Sequence, residues 1–210
     1  MDLKNCILYE DNHLLIVNKP SGIAVLPNDG MEDMTTIMKD TIKRRDKKPG
    51  KVFLHPVHRI DRWVSGIVVF AKTSKALSRI NNDIREKLWK KKYIAELIRP
   101  LAQEQGELCH YLCKRQYIAE VYLEPRPYSK EAILHFSHLR GNFYEVELKT
   151  GRYHQIRAQM AFMNSPITGD QKYGAPKAAN AHIHLHHANL VLIHPITKEQ
   201  VIIDSKPPFM

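Results

Sequence analysis

Residues 58–71 read HRIDRWVSGIVVFA, which places one carboxylate, Asp61, among three side chains that can carry positive charge and just before an apolar run. The run at 67–71 predicts a buried strand, because it is short, continuous and rich in β-branched and aromatic residues. A carboxylate beside such a strand is costly unless a partner holds it or its charge serves chemistry. The segment therefore predicts either a structural ion pair or a reactive acid at Asp61.

Short apolar runs predict further strands on both sides of this segment. They lie at residues 7–9, 14–17, 93–98, 132–136, 144–148, 190–193 and 201–203. Helices are predicted at 34–45, at 158–163, and after a cap at Ser74, where Leu77, Ile80, Ile84 and Leu88 recur at helical spacing. Because few helices separate the strands, we expect an α+β fold with a mixed, largely antiparallel sheet.

Composition limits the class of protein. The 210 residues suffice for one compact domain or two closely joined lobes, with the Pro-rich segment 124–130 as the predicted hinge. The three cysteines, Cys6, Cys109 and Cys113, make a poor zinc site and favour free thiols in a reducing cytoplasm. No long apolar stretch predicts a secretion signal or a membrane span.

The charge balance is strongly basic. Lys and Arg number 32 against 22 acidic residues, which gives a formal net charge of +10. Such an excess favours polyanionic partners, and nucleic acid is the commonest of these for soluble chains. The alternative is charge that only maintains solubility.

A second dense motif follows a predicted strand. Residues 151–157 read GRYHQIR, and residues 166–174 read PITGDQKYG, where the Pro and Gly residues predict turns. This concentration of cationic and amide donors suits recognition of phosphate, carboxylate or base edges.

The two motifs resemble the signatures of one family. Residues 58–66 are similar to the His-Arg-Leu-Asp-Arg-x-Thr-Ser-Gly signature of RluA-type RNA pseudouridine synthases, and residues 151–157 to that family's Gly-Arg-Thr-His-Gln-Ile-Arg. Further similarities follow in the family's order, at an opening hairpin with a Lys-Pro-x-Gly loop (9–22), a Lys-x-Tyr-x-Ala strand with a shifted lysine (92–95), a Pro-x-x-Gly-Asp-x-x-Tyr-Gly turn (166–174) and closing Leu-His and His-Pro elements (185–186 and 194–195). The resemblance covers nearly the whole chain.

The resemblance implies the pseudouridine synthase fold, with two lobes flanking a basic cleft in a single catalytic domain over residues 1–210. Many family members carry an N-terminal S4 RNA-binding domain, whereas here the similarity begins within the first ten residues, so we expect none. The implied partner is a ribosomal or transfer RNA stem-loop. We expect a cytoplasmic, monomeric isomerase that needs no cofactor, metal or membrane.

The resemblance also implies catalytic roles. Forming pseudouridine moves the ribose from a base nitrogen to a base carbon, which requires an ionised carboxylate and a nucleotide drawn from its stack. Asp61 is the implied nucleophile or base, and Arg157 the partner that keeps it ionised. Tyr93 would pack against the uracil ring and help to remove the proton from the base carbon.

The predicted RNA-binding side chains share positive charge or amide donors within the matched motifs. They are Arg59, His58, Arg62, Lys19, Arg152, His154 and Gln155. Arg59 would share a face with Asp61 if the segment is extended, and would support the flipped-out RNA.

Structural alternatives stand beside these roles. Asp61 can form a salt bridge with Arg157 or Arg62 that only stabilises the fold, and Tyr93 can be a core residue. Arg157 can be an ordinary phosphate contact, and Lys19 a solvent-facing loop residue.

Two other functions compete with catalysis on RNA. One is a metal site, since His182, His184 and His186 would share one strand face, although the aspartate of binuclear zinc hydrolases is missing. The alternative for these histidines is a groove or surface position. The other function is noncatalytic RNA binding, whose mark would be loss of the aspartate or arginine, and both are retained.

Several positions depart from the family pattern. Trp63 and Val64 replace a small polar pair, Tyr153 replaces a threonine, Gln159 a histidine, and Leu26 the histidine of an opening Val-His-Pro. We expect Trp63 and Val64, which follow Asp61 closely, to influence the choice of substrate.

Overall fold

The computed structural model describes residues 6–27, 30–177 and 182–210, and it divides into two compact units. Unit 1 comprises Met1–Trp89, His187–Pro208 and Met210, and unit 2 comprises Lys90–His186 and Phe209. The chain therefore passes from one unit to the other at Trp89 and again at His186. The hinge predicted at residues 124–130 is wrong, because that segment joins two strands of unit 2.

The elements are numbered in chain order. The strands are β1 (Ile7–Glu10), β2 (Leu14–Lys19), β3 (His55–Pro56), β4 (Ser65–Ala71), β5 (Lys90–Glu96), β6 (Gln105–Arg115), β7 (Ile118–Tyr122), β8 (Lys130–Arg140), β9 (Phe143–Leu148), β10 (Leu185–Ile193) and β11 (Gln200–Asp204). The helices are α1 (Met34–Arg45), α2 (Ser74–Arg85) and α3 (Gln155–Phe162), with a 3-10 turn at Gln171–Tyr173.

Unit 1 is built around β4, every residue of which is buried. Strand β4 pairs antiparallel with β2 and β3, β2 pairs with β1, and β10 pairs with β11. Ile67 and Val69 pack in one cluster with apolar side chains of β2, α2 and β10. The strand predicted from the apolar run is confirmed, and its burial explains why the run does not alternate with polar residues.

Capping groups define both helices of unit 1. Asp33 caps α1 by accepting a hydrogen bond from the Thr36 amide. Helix α2 begins one residue earlier than predicted, because the cap is Thr73, whose hydroxyl accepts from the Ala76 amide, and Ser74 is the first helical residue. The helix ends at Arg85, and Leu88 lies beyond it with 55% of its surface exposed.

Unit 2 contains an antiparallel sheet in the order β5-β9-β8-β6-β7. Helix α3 packs on this sheet through Ala158, which belongs to one buried cluster with Leu112, Ala119 and Ala132. Together the units confirm the α+β class with a mixed, largely antiparallel sheet and few helices. In the described ranges, no helix combines the length and apolar character needed to cross a membrane.

Candidate active site

Asp61 lies at the start of a tight turn that leads into β4. The Val64 amide donates to the Asp61 carbonyl across 3.1 Å, so Arg62 and Trp63 occupy the two corners. Asp61 is half-buried, whereas Val64 and the strand after it are buried. The turn therefore holds the carboxylate at the margin of the core of unit 1.

Lys19, at the end of β2, is completely buried in unit 1. Its ammonium donates to the carbonyls of Pro20 and Ile23, both at 2.8 Å, and to that of Arg62 at 3.1 Å. Burial lowers the pKa of Lys19 to about 7, while the charge of Asp61 acts in the opposite direction. The solvent-facing alternative is thus wrong, and an RNA contact by Lys19 stays a prediction.

Arg62 is exposed but well anchored. Its Nε donates to the Gly22 carbonyl at 2.7 Å, its Nη1 lies 2.9 Å from the Met31 sulfur, and its Cζ lies 4.9 Å from the centre of the Trp63 ring. These contacts tie the turn to the loop that follows β2.

His58 and Arg59 differ in their surroundings although they are adjacent. His58 Nε2 accepts from the Val69 amide at 3.2 Å, and the ring lies edge-on to Trp89 and His187. Arg59 is exposed. His58 therefore packs against β4, and a direct RNA contact remains a prediction for both residues.

In unit 2, Arg157 forms a buried ion pair with Asp170. Arg157 Nε and Nη2 donate to the two Asp170 carboxylate oxygens at 2.7 and 2.8 Å, and the side chains are only 4% and 1% exposed. Asp170 belongs to the Gly-Asp turn of residues 166–174, but the sequence did not predict this partner. The implied Arg157–Asp61 pair joins residues of different units and stays a prediction.

His154 connects Arg157 to a tyrosine. It precedes α3 in the left-handed conformation, with φ 53° and ψ 26°. Arg157 Nη1 lies 3.1 Å from His154 Nε2. Because a guanidinium can only donate, Nε2 must be the acceptor, so the proton of the neutral ring is on Nδ1. Nδ1 then donates to the Tyr173 hydroxyl at 2.9 Å, which also accepts from the Ala119 amide. Burial raises the pKa of Tyr173 to about 12, so this hydroxyl stays neutral at pH 7.

Gln155 and Arg152 hold the motif to β8. Gln155 is buried, accepts at Oε1 from the Thr150 hydroxyl and the Arg152 amide, and donates from Nε2 to the Ile133 carbonyl. Arg152 Nε donates to the Glu131 carbonyl at 2.7 Å. These bonds are structural, and RNA binding by either side chain stays a prediction.

Tyr93 lies within β5, opposite Val146 of β9, and is buried. The strand that the sequence pattern predicted around Tyr93 is confirmed. Its catalytic role remains a prediction.

The turn between β6 and β7 carries an aromatic and cationic cluster that sequence reasoning missed. Tyr117 at its tip is 74% exposed, and its carbonyl accepts from Lys172 Nζ at 3.3 Å and from the Tyr153 hydroxyl at 3.4 Å. Lys114 Nζ lies 4.8 Å from the Tyr153 ring, which stacks on His154 with 3.8 Å between ring centres. The Lys-Arg-Gln-Tyr run at 114–117 was the available signal.

The histidines considered for metal binding have other surroundings. His182 and His184 precede β10, which begins at Leu185, so the predicted shared strand face is wrong for them. His184 pairs with Glu96 and stacks on Phe209. Among residues 6–27, 30–177 and 182–210, no group of three or more His, Cys, Asp or Glu side chains forms a candidate metal site.

Comparisons with known proteins identify relatives along almost the whole chain. The RNA pseudouridylate synthase family profile matches residues 13–162. The chain is 34% identical to the dual-specificity RNA pseudouridine synthase RluA of Haemophilus influenzae, over 97% of this chain and 93% of that protein. It is 32% identical to the ribosomal large subunit pseudouridine synthase C of Vibrio cholerae, over 97% of this chain and 66% of that protein.

A solved structure supports the fold. Human RNA Pseudouridylate Synthase Domain Containing 4 matches with a TM-score of 0.82 and 22% identity, covering 98% of this chain and 90% of that one. At this level of identity the match concerns the fold alone.

Proposed function

Because this chain belongs to the RNA pseudouridylate synthase family, we propose that it converts a uridine of ribosomal or transfer RNA to pseudouridine with Asp61 as the catalytic carboxylate. The family predicted from the motifs and the isomerase class are confirmed by these relatives. Ribosomal RNA is the first substrate to test, since one relative is named for the large ribosomal subunit. A cytoplasmic monomer with one catalytic domain is part of the proposal.

The reaction is an isomerisation. The bond from uracil N1 to ribose C1′ breaks, the uracil turns, a bond from C5 to C1′ forms, and the proton lost from C5 is balanced by one gained at N1. No electron is gained or lost in the overall change. The chemistry therefore requires a positioned carboxylate, which serves as nucleophile or base on a flipped-out nucleotide, and a group that removes the C5 proton.

The observation that carries the proposal is the fixed position of Asp61. Its turn is held by the Gly22 amide and the Lys19 ammonium, which donate to the Arg62 carbonyl, and by the Ser21 hydroxyl, which donates to the Trp63 carbonyl. The charge of Asp61 acts on Lys19 and favours the protonated form of that lysine. A rigid, half-buried carboxylate next to a cation suits a group that must act without reorganising.

Arg157 is the second cation of the proposal. Asp170 and His154 fix the Arg157 guanidinium through three hydrogen bonds. As the matched motifs imply, we assign Arg157 as the partner of Asp61 and the ring of Tyr93 as the surface that packs against the uracil. In this arrangement Asp170 orients Arg157, and Arg157 keeps Asp61 ionised.

RNA binding is assigned to residues with different degrees of exposure. Arg59 is exposed and is the proposed contact to the displaced nucleotide, with Arg62 and Arg152 as further cations near the motifs. The other predicted RNA-binding residues make the internal hydrogen bonds described above. In the proposal they hold the exposed RNA-binding side chains in position, and they are Lys19, His58, His154 and Gln155. The Tyr117 cluster adds the aromatic rings and lysines on which unpaired bases and phosphates bind.

The decisive experiment compares wild type with Asp61→Asn, using RNA labelled with tritium at uracil C5 and extracted from cells that lack this gene. We expect tritium release by wild type, none by Asp61→Asn, and equal RNA affinity for both in filter binding. Asp40→Asn, an exposed acid on α1, is the matched control and should keep full activity.

Two results would contradict the proposal. Activity retained in Asp61→Asn would remove the aspartate from the mechanism. RNA binding by wild type without tritium release from ribosomal or transfer RNA would instead favour a noncatalytic RNA-binding protein.

A further inference from the structure

Trp63 places a large exposed ring two residues after Asp61. Its exposed fraction is 40%, whereas the next residue, Val64, is 2% exposed. Of the two departures from the family pattern at this point, only Trp63 can therefore contact a macromolecule in solution. Val64 belongs to the core of unit 1.

Neighbours on the turn and on the loop after β2 contact the ring of Trp63. The guanidinium of Arg62 lies 4.9 Å from the ring centre and is itself held by the Gly22 carbonyl and the Met31 sulfur. Gly22 approaches the ring edge, since a Cβ built there would lie 3.7 Å from Trp63 Cζ3. A cation and an indole thus form one preorganised surface beside Asp61.

Local stability does not require an indole at this position. The loop and the turn are joined through the carbonyls of Arg62 and Trp63, to which Gly22, Lys19 and Ser21 donate. These bonds use backbone atoms that any residue at position 63 would supply. The ring therefore adds exposed aromatic area without being needed for the hydrogen bonds that hold the turn.

We propose that Trp63, backed by Arg62, is a stacking platform for an unpaired base adjacent to the target uridine. The inference rests on the proposed function, because the base next to a flipped-out nucleotide loses a stacking neighbour and gains one here. The net charge of +10 and the guanidinium under the ring favour an RNA occupant over an apolar peptide. Trp63 is then a specificity-determining residue, which selects RNAs whose flanking base is unpaired.

Steady-state kinetics test the platform on the RNA that gives tritium release. Trp63→Ala should lower kcat/KM roughly 5- to 150-fold, the range of base–aromatic stacking, with most of the change in KM. Trp63→Phe keeps a ring and should retain most of the wild-type kcat/KM. Tyr128→Ala, which removes an aromatic residue 89% exposed on the β7–β8 connection, is the matched control and should match wild type.

A binding experiment separates base stacking from phosphate contact without using activity. Tryptophan fluorescence is followed during titration with a synthetic RNA stem-loop that has a uridine-rich loop, and with a stem-loop of equal length whose loop bases are removed. The intact loop should quench wild type strongly, and the abasic loop weakly. Trp63→Phe should lose most of the quenching, since the other tryptophan, Trp89, is buried.

Several results would overturn the inference. They are wild-type kcat/KM in Trp63→Ala, equal quenching by intact and abasic loops, or equal losses in Trp63→Ala and Trp63→Phe with a lowered melting temperature, which would indicate a packing role. Failure of the proposed function is distinct, because it removes tritium release from wild type while base-dependent quenching can persist.

Discussion

The Asp61 turn and the Arg157 ion pair fix charged groups in different ways. The turn is half-exposed and is held by hydrogen bonds between backbone carbonyls and the loop after β2. Arg157 is buried and is held by another charge, that of Asp170. Removing a side chain at the turn leaves its backbone bonds in place, whereas removing the Asp170 carboxylate takes away the opposite charge that is paired with a buried cation. We therefore expect stability to depend on the Arg157 region and activity to depend on both.

The largest effect is expected for Asp170→Asn. Losing one partner of a buried ion pair typically costs about 3–5 kcal/mol, so the free energy of unfolding should fall by that amount in urea denaturation. Glu147→Gln, which breaks the part-exposed Lys149–Glu147 pair, is the control and should cost less than about 1 kcal/mol. If Asp170→Asn lowered the free energy of unfolding by as little as the control does, stability would not depend on the Arg157 region as we expect.

Gly66→Ala tests a glycine close to the turn, where an added side chain should lower stability. Gly66 has φ of +115°, and a Cβ there would lie 2.4 Å from the His187 carbonyl oxygen. Backbone would have to move, so we expect a loss of about 2 kcal/mol or more in the same assay. Gly151→Ala meets nothing within 4 Å and should be nearly neutral. Equal free energies of unfolding for Gly66→Ala and Gly151→Ala would show that β4 and β10 can move apart at little cost.

Lys19 makes the turn region sensitive to pH. Below pH 7 Lys19 is protonated in both folded and unfolded chains, and the cost of burying its charge is present in full. The pKa of Lys19 is about 7 in the folded chain and ordinarily 10.5. As the pH rises between these two values, the folded chain releases the proton before the unfolded chain does, so the free energy of unfolding rises. Unfolding of wild type and Lys19→Met, measured across this window, should show that rise in wild type only. Parallel curves would assign the pH dependence to other groups.

The local sequence pattern predicted the strands and the helix in which apolar and polar residues follow a clear order. The apolar run of β4, the hairpin of β1 and β2, and helix α1 are confirmed within a few residues. Strands β6 and β7 were missed, because residues such as His110 and Glu120 interrupt their apolar positions. The segment 124–130 was interpreted as a hinge because it is rich in proline and charge. These residues are typical of any irregular connection, including one between two strands of the same unit.

The candidate site was predictable as a set of residues but not as a set of contacts. The motifs identified Asp61, Tyr93 and Arg157, whose roles remain predictions. The Arg157–Asp170 pair, the complete burial of Lys19 and the Tyr153–Tyr117 contact depend on tertiary packing that spacing does not encode. For the Arg157–Asp170 pair the Gly-Asp turn motif was a signal, but the motif did not indicate that Arg157 is the partner of Asp170.

The division of the chain has a consequence for the order in which the protein folds during synthesis. Unit 2 is a nearly continuous segment inserted into unit 1, so its sheet is complete soon after residue 186 leaves the ribosome. Strand β4 must wait for its neighbour β10, which is translated more than a hundred residues later. Such a long-range pairing is slow to close, and it leaves the edge of β4 that faces β10 incompletely paired in the meantime. We expect the nascent chain to acquire the Arg157–Asp170 pair first and to complete the core beside Asp61 last.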